Sequence, residues 1–348
     1  MKANLIILIL LAGVQVLAQP GKLHLLPSGR SQHAAAFDSK KGLMLIFGGE
    51  KHYKNTAPSS LSIDNKLWAW DQSGWSSLSE TGPSLRNDAK MVYHAQNGKT
   101  YLYGGRIINP AGKVEVLAEF WEWDGNKWNL LSASAAPGRM LHTNLVYDPH
   151  RNRIVMFGGV NIDEKGFSNA LWEWDGNNWQ KIEAHNPPAP RIAHSMVYSP
   201  ALKKTLIVGG VSIKDERFNE VWAWDGQNFE LLDSHLPSIE LGNYNAACMN
   251  EKGKQQMLLF GRSTKLAALK ALEPGKNLSD TWIWDGTNWT KLELGIAPSL
   301  REGQSLVYDQ KHKQVILFGG GAREEANYDN PKDLWVFKNG RWKAIKSE

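Results

Sequence analysis

The sequence predicts an all-β protein, folded as a six-bladed β-propeller with four antiparallel strands in each blade. Three observations lead to this prediction: one segment pattern occurs six times along the 348 residues, each copy has a glycine pair or its remnant, and each ends in an aromatic cluster. Units of this kind cannot bury their own apolar faces alone, so one repeat array forms one domain. The blades are expected at about residues 27–80, 81–132, 133–184, 185–234, 235–294 and 295–346.

The repeat has the spacing of a four-stranded antiparallel sheet, and the third copy illustrates it. Its strands are expected at residues 145–147, 154–157, 170–174 and 179–182. Asp175 and Gly176 form a strong hairpin-turn signal between the last two strands. Most copies end their second strand on a double glycine, and the positions are Gly48-Gly49, Gly104-Gly105, Gly158-Gly159, Gly209-Gly210, Gly261-Arg262 and Gly319-Gly320.

Aromatic residues recur at three positions of every copy, two in the third strand and one in the fourth, and these positions hold all 16 tryptophans. Because side chains alternate along a strand, the two third-strand rings share a face, and the turn brings the last ring onto it. Only a neighbouring blade can cover such a face, and a closed ring of blades covers all of them. The positions are Trp68, Trp70, Trp75; Trp121, Trp123, Trp128; Trp172, Trp174, Trp179; Trp222, Trp224, Phe229; Trp282, Trp284, Trp289; and Trp335, Phe337, Trp342.

The N-terminal residues have the pattern of a secretory signal peptide. Lys2 supplies the positive charge, residues 5–16 form the apolar segment, and Ala18 ends a suitable cleavage site before Gln19. The apolar segment is shorter than the roughly 20 residues that span a bilayer. We therefore expect residues 1–18 to be removed and the propeller at 19–348 to be exported, to the periplasm or the extracellular space of a bacterium.

The net charge, the apolar stretches and the cysteine count exclude several classes of function. The net charge is +5, without a run of Lys or Arg, which argues against a nucleic-acid partner. No further apolar stretch is long enough to predict a membrane span in the mature chain. Cys248 is the single cysteine, so no disulfide can form within the chain, and no cysteine follows the apolar segment to carry a lipid anchor.

The repeat resembles the kelch repeat over residues 30–345. That family has a double glycine at the end of the second strand, an aromatic residue in the third and a Trp in the fourth. The paired Trp of the third strand is a departure, since many kelch repeats have Tyr-Asp there. A sialidase-like propeller fits less well, because its Ser is missing here and the Asp adjoins the Gly.

Five arginines precede the first strands: Arg30, Arg86, Arg139, Arg191 and Arg301. Two interpretations remain open. In the first, each guanidinium ties a loop to backbone carbonyl groups or to the next blade. In the second, the five form a basic rim around the central channel, suited to carboxylates. The resemblance to kelch proteins implies that these loops share a face with the loops that follow the glycine pairs.

Three histidines, His33, His142 and His194, each lie three residues after one of these arginines. They are interpreted as inner-strand residues that bond to a neighbouring blade, with His33 and His194 kept as binding candidates. No His or Cys spacing typical of a metal site occurs, so no metal and no other cofactor is expected.

The fifth copy departs furthest from the pattern. Tyr244 and Asn245 lie where an Arg and a His are expected, Arg262 replaces the second glycine, and Cys248 replaces an apolar residue. Residues shared by nearly all copies serve the fold more often than a ligand without sixfold symmetry. Two interpretations remain open: the fifth copy has drifted from the pattern, or it forms a ligand pocket whose lining differs from that of its neighbours. In the second case Tyr244, Asn245 and Arg262 are predicted to give the ligand its asymmetric contacts.

Two functions remain in view. The first is a binding module for an acidic glycan, a peptide or a partner protein at one mouth of the channel. The second is a carbohydrate-active enzyme, because some exported kelch propellers of this size are sialic-acid mutarotases or epimerases; such chemistry needs an acid–base group beside the group that holds the carboxylate. A copper oxidase similar to galactose oxidase is disfavoured, since no matching Tyr, Cys and His set occurs.

Overall fold

The structure is a computed structural model that describes residues 26–51, 64–132, 136–237, 245–251, 254–261, 279–324, 327–329 and 332–345. The described residues form strands, turns and connecting segments, without a helix. Within these ranges no helical segment is long and apolar enough to cross a membrane. The predicted signal peptide, Tyr244 and Arg262 lie outside the described residues.

Six four-stranded antiparallel sheets occupy the described ranges, and we call them blades one to six in chain order. Blade one contains β1 (Ala34–Asp38), β2 (Leu43–Phe47), β3 (Leu67–Trp70) and β4 (Trp75–Ser79). Blade two and its loop contain β5 (Lys90–His94), β6 (Lys99–Tyr103), β7 (Arg106–Ile108), β8 (Val114–Val116), β9 (Phe120–Trp123) and β10 (Trp128–Leu131). Blade three and its loops contain β11 (Met140–Leu141), β12 (Asn144–Asp148), β13 (Arg153–Phe157), β14 (Val160–Asn161), β15 (Gly166–Phe167), β16 (Leu171–Trp174) and β17 (Trp179–Ile182).

The remaining blades follow the same plan. Blade four contains β18 (Ser195–Ser199), β19 (Lys204–Val208), β20 (Val221–Trp224) and β21 (Phe229–Asp233), and blade five contains β22 (Asn245–Glu251), β23 (Lys254–Gly261), β24 (Asp280–Trp284) and β25 (Trp289–Lys291). Blade six and its loop contain β26 (Ser305–Asp309), β27 (Gln314–Phe318), β28 (Ala322–Glu324), β29 (Asn327–Asp329), β30 (Leu334–Lys338) and β31 (Arg341–Ile345). The short pairs β7–β8, β14–β15 and β28–β29 lie in loops that follow glycine pairs, and the sequence analysis did not predict them.

The predicted register of the aromatic residues is confirmed. Trp174 pairs directly with Trp179 across the hairpin, while Trp172 lies opposite Lys181. Trp174 and Trp179 are buried in a cluster with Phe120 and Tyr103 of blade two. The rings of each blade thus cover the preceding blade. Most rings of the triples are buried, whereas the first third-strand Trp of blades two to six and the fourth-strand Trp289 of blade five stay partly exposed.

Backbone bonds from the glycine pairs join neighbouring blades. Gly49 donates its N–H to the carbonyl of Arg86 at 2.9 Å, and Gly320 donates to the carbonyl of Arg30 at 2.8 Å, which joins blade six to blade one. Gly48 has φ +67°, and a Cβ there would collide with the Arg86 carbonyl oxygen. This close approach at a left-handed conformation explains why the position is glycine.

Candidate functional site

Four of the five predicted arginines are buried structural residues. The side chain of Arg191 donates to the carbonyl oxygen of Gly209 at 2.8 Å and to a carboxylate oxygen of Glu220 at 3.0 Å, and is fully buried. Each of the others likewise bonds the first glycine carbonyl and an acidic residue of its own blade. These sets are Arg30 with Gly48 and Asp64, Arg86 with Gly104 and Glu119, and Arg301 with Gly319 and Asp333.

The basic rim is therefore wrong for these four residues, and the tie interpretation is correct. Each guanidinium meets groups of its own blade, so no charged head reaches a ligand. The Phe218 ring adds a cation–π contact to Arg191, with 4.1 Å between the guanidinium carbon and the ring centroid. Buried cations persist when they are paired in this way.

The fifth arginine, Arg139, is displaced because blade three has a different register. Asn144 of blade three pairs with Phe157, and Ser195 of blade four pairs in the same way with Val208. Arg191 lies four residues before Ser195, and Met140 lies four residues before Asn144. Met140 therefore occupies the position in blade three that Arg191 has in blade four. Met140 is buried, whereas Arg139 is exposed and bonds Asp163 at 2.5 Å.

The same shift in register changes which residue of blade three corresponds to His33 and His194. Thr143, and not His142, is the counterpart of His33 and His194. His142 is instead the counterpart of Gln32, and both have φ 53°.

The loops into the first strands and the loops after the glycine pairs meet on one face, as the kelch resemblance implied. Isolated bridges join Ser31 to Glu50, Asn87 to Arg106, Ile192 to Val211 and Glu302 to Gly321. On this face a cavity of about 170 Å³ lies among the starts of the six first strands. Its polar lining includes Lys90, His142, Asn144, Asn245, Gln304 and Ser305. We call it the mouth cavity.

Asp88, just behind the lining of the mouth cavity, joins two of its lining residues, Lys90 and His142. The Lys90 ammonium lies 3.1 Å from one carboxylate oxygen of Asp88. The other oxygen accepts the His142 backbone N–H at 2.8 Å, and Nδ1 of the His142 ring lies 3.1 Å from it. Burial alone raises the pKa of Asp88, but the Lys90 charge and the His142 bonds outweigh it and lower that pKa below its usual range. Asp88 is thus a fixed anion that positions both a cation and an imidazole.

His33 and His194 line the mouth cavity as buried, neutral rings. His33 Nε2 lies 2.8 Å from the Ser305 hydroxyl, which joins blade one to blade six. The His194 carbonyl accepts the Asn144 amide at 2.5 Å, which joins blade four to blade three. Burial lowers the pKa of each ring to about 3, helped by the charges of the adjacent arginine and of Lys90. The His33 ring thus bonds a neighbouring blade, whereas the His194 ring packs edge-on against Phe157 of blade three, with 5.7 Å between the ring centroids.

This depression predicts an acid-sensitive fold. The unfolded chain protonates these histidines below about pH 6.5, while the folded chain keeps both neutral down to about pH 3. The unfolded state binds more protons in that window, so stability falls as the pH falls from about 6.5 towards 3. His194→Gln should flatten this dependence, measured as the thermal midpoint from pH 7 to pH 4, because Gln304 occupies the same position in blade six. An unchanged slope would contradict neutral burial of His194.

Of the blade-five candidates, Asn245 is the one the structure describes. It begins β22 and lines the mouth cavity. Cys248 is buried, and burial raises the pKa of its thiol to about 12. By register it takes the position held by Tyr93, Tyr147 and Tyr198 in other blades, so it replaces an aromatic residue. Within the described ranges, no group of three His, Cys, Asp or Glu residues has metal-binding geometry.

Lys90, Asp88 and Asn144 were not among the site residues predicted from the sequence. A signal was available in the first position of each first strand, where blade two alone has a charged residue. These positions hold Ala34, Lys90, Asn144, Ser195, Asn245 and Ser305. The Asp88–His142 contact had no such signal, because it spans 54 positions and two blades.

Comparisons with known proteins agree with this architecture. Residues 97–293 match a family described as the KLHDC2/KLHL20/DRC7 Kelch-repeats domain. Mei4-dependent protein 6 of Schizosaccharomyces pombe is 26% identical over 212 residues, which are 54% of this chain but only 29% of that protein. The solved structure of YjhT superposes with a TM-score of 0.64 at 14% identity, over 92% of this chain and 99% of that one.

Proposed function

This chain belongs to the kelch-repeat family, and from that premise we propose that it is an exported binding module for a carboxylate-bearing ligand at the mouth cavity. The ligand we favour is an acidic sugar, with an acidic peptide as the alternative. Kelch domains generally bind proteins, so binding is a common role of the fold. We also propose that residues 19–348 form a single closed ring of six blades, which would hold the cavity wall rigid.

One observation carries the proposal: Lys90 is the only Lys or Arg among the described residues of the cavity wall, and that described lining contains no Asp or Glu. Its ammonium has three N–H donors, and Asp88 lies within reach of one of them. The amide and hydroxyl groups of Asn144, Asn245 and Ser305 line the same space. A carboxylate entering here would meet the Lys90 ammonium beside polar groups of other blades, which matches charge-assisted recognition.

Calorimetric titration with N-acetylneuraminic acid tests the proposal, and its uncharged methyl ester is the matched ligand control. We expect the acid to bind and the ester to bind far less. The double variant Lys90→Met/Asp88→Asn removes the ammonium without leaving a buried carboxylate unpaired. It should weaken binding about ten- to a hundredfold, the value of one charge-assisted hydrogen bond.

Lys181→Met is the matched control variant, because Lys181 is an exposed lysine on the outer strand β17. It should bind as the unmodified protein does. Equal binding of acid and ester, or full affinity in the double variant, would refute a carboxylate site at Lys90. Binding of a peptide that ends in Asp, with no binding of the sugar, would keep the site and replace the sugar.

A second function has its own support in the Asp88–His142 pair. A carboxylate 3.1 Å from a partly exposed imidazole is a common acid–base arrangement, and opening a sugar ring needs such a group. In that case the protein would accelerate anomer exchange of N-acetylneuraminic acid, seen as NMR exchange rates. His142→Asn would then lose the acceleration and keep the binding, whereas a pure binding module would give the uncatalysed rate throughout.

A further inference from the structure

A second cavity lies on the outer edge of the molecule, between blades four and five. Its volume is about 550 Å³, within the range of small-molecule sites. Blade four and the link to blade five contribute Asp233 and His235 to its wall, and blade five contributes Trp282, Thr287, Asn288 and Trp289. We call it the edge cavity. None of these residues takes part in the mouth cavity.

Trp289 differs from its counterparts in the other blades. The fourth-strand rings Trp75, Trp128, Trp179, Phe229 and Trp342 are all buried, whereas Trp289 remains partly exposed. Its ring still packs against blade four, in a cluster with Leu236 and Val208. Part of an indole that the repeat otherwise hides therefore borders open space.

The links between blades take different courses past the fourth-strand ring. Between blades one and two, Gly82 of the link lies directly against the Trp128 ring and covers it. Between blades three and four, His185 of the link forms a β-bridge with Asn228, next to Phe229. The described part of the link to blade five, residues 234–237, turns inward at Leu236, which is buried and donates its N–H to the Asn219 carbonyl at 3.3 Å. Beside this described part, Trp289 stays partly exposed.

A fixed carboxylate lies beside this indole. One oxygen of Asp233 accepts the Trp289 Nε1–H at 2.5 Å, and the other accepts the His235 backbone N–H at 2.8 Å. The Asp233 side chain is about nine-tenths buried, whereas that of His235 is 89% exposed. The edge cavity thus combines a held carboxylate acceptor, an exposed imidazole whose Nδ1 lies 3.3 Å from that carboxylate, the polar residues Thr287 and Asn288, and an aromatic surface.

We propose that the edge cavity binds a neutral saccharide unit. The C–H face of a pyranose ring packs against an aromatic ring, while its hydroxyl groups pair with carboxylate, amide and imidazole groups; amphipathic aromatic residues are suited to this dual role. The negative charge of Asp233 opposes an acidic sugar here, in contrast to the mouth cavity. The chain would then carry two sites of different charge preference.

Oxidation of tryptophan by N-bromosuccinimide, mapped by peptide mass spectrometry, tests the proposal on the full chain. Trp289 should be oxidised before Trp128, and at least one of maltotriose, cellotriose and triacetylchitotriose should protect it. Equal oxidation of the two tryptophans, or no protection by any of the three saccharides, would overturn the proposal.

Variants separate binding from folding. His235→Ala changes an exposed side chain and should weaken the protecting saccharide several-fold, while His185→Ala, exposed on the preceding link, should have no effect. Trp289→Leu keeps an apolar side chain and should abolish binding of the saccharide. Its thermal midpoint, recorded in parallel, shows whether the variant is still folded. The double variant Lys90→Met/Asp88→Asn should leave this binding intact, which keeps the result independent of the mouth cavity. Unchanged affinity in both His235→Ala and Trp289→Leu would also overturn the site.

Discussion

Replacing Trp174 with Ala should destabilise the fold by about 3–5 kcal/mol, the usual cost of truncating a large aromatic residue in a core. Trp174 is 2% exposed, and its ring lies 5.0 Å from that of Phe120 and 5.7 Å from that of Trp179, measured between centroids. Phe120 belongs to blade two, so the substitution opens a cavity between two blades. The neighbouring strands are held by ladder bonds and can close that cavity only in part.

Chemical unfolding in urea measures the loss. Trp172→Ala is the matched control, because Trp172 lies two residues earlier on the same face and remains partly exposed. Its substitution should cost clearly less. A loss below about 1 kcal/mol for Trp174→Ala would mean that the ring is not a core residue, and the packing of blade three on blade two would need another explanation.

The aromatic cluster was predictable because local rules determine it. Strand alternation and a tight turn after Trp174 place three rings on one face, whatever the rest of the chain does. The register of Trp174 with Trp179 could be read from the spacing alone. The remaining exposure of the first ring in blades two to six could not be predicted, because the extent to which a neighbouring blade overlaps that ring depends on the twist of both blades.

The mouth cavity was less predictable, for two physical reasons. Spacing counted from Arg139 gave a wrong register, because blade three has one extra residue between that arginine and its first strand, and strand pairing sets the register. The Asp88–His142 contact forms between blades, and no periodicity within one copy reports it. The common face of the loops was implied by family resemblance, and the bridges at Ser31 and Asn87 agree with it.

Replacing a buried arginine is expected to cause the second large loss of folding stability. Arg191→Ala should destabilise the fold by about 3 kcal/mol, the lower end of the range for breaking a buried ion pair, because the Glu220 side chain keeps 30% exposure and water can solvate it. The substitution leaves the Gly209 carbonyl oxygen without its side-chain donor as well. Thermal and urea unfolding measure the loss. Arg139→Ala should leave the midpoint unchanged, since that arginine is exposed.

Blade three indicates how the loss can be recovered. There Met140 takes the arginine position, and Ala170 takes that of Glu220, since both Ala170 and Glu220 accept a backbone bond from a first glycine. The double variant Arg191→Met/Glu220→Ala reproduces that pair and should be more stable than Arg191→Ala, because Met fills much of the arginine position and no charge is left without its partner. If the double variant is instead the less stable of the two, the Glu220 carboxylate stabilises the fold beyond its ion pair with Arg191. Its bond from the Trp222 indole N–H, at 2.7 Å, would then account for the difference.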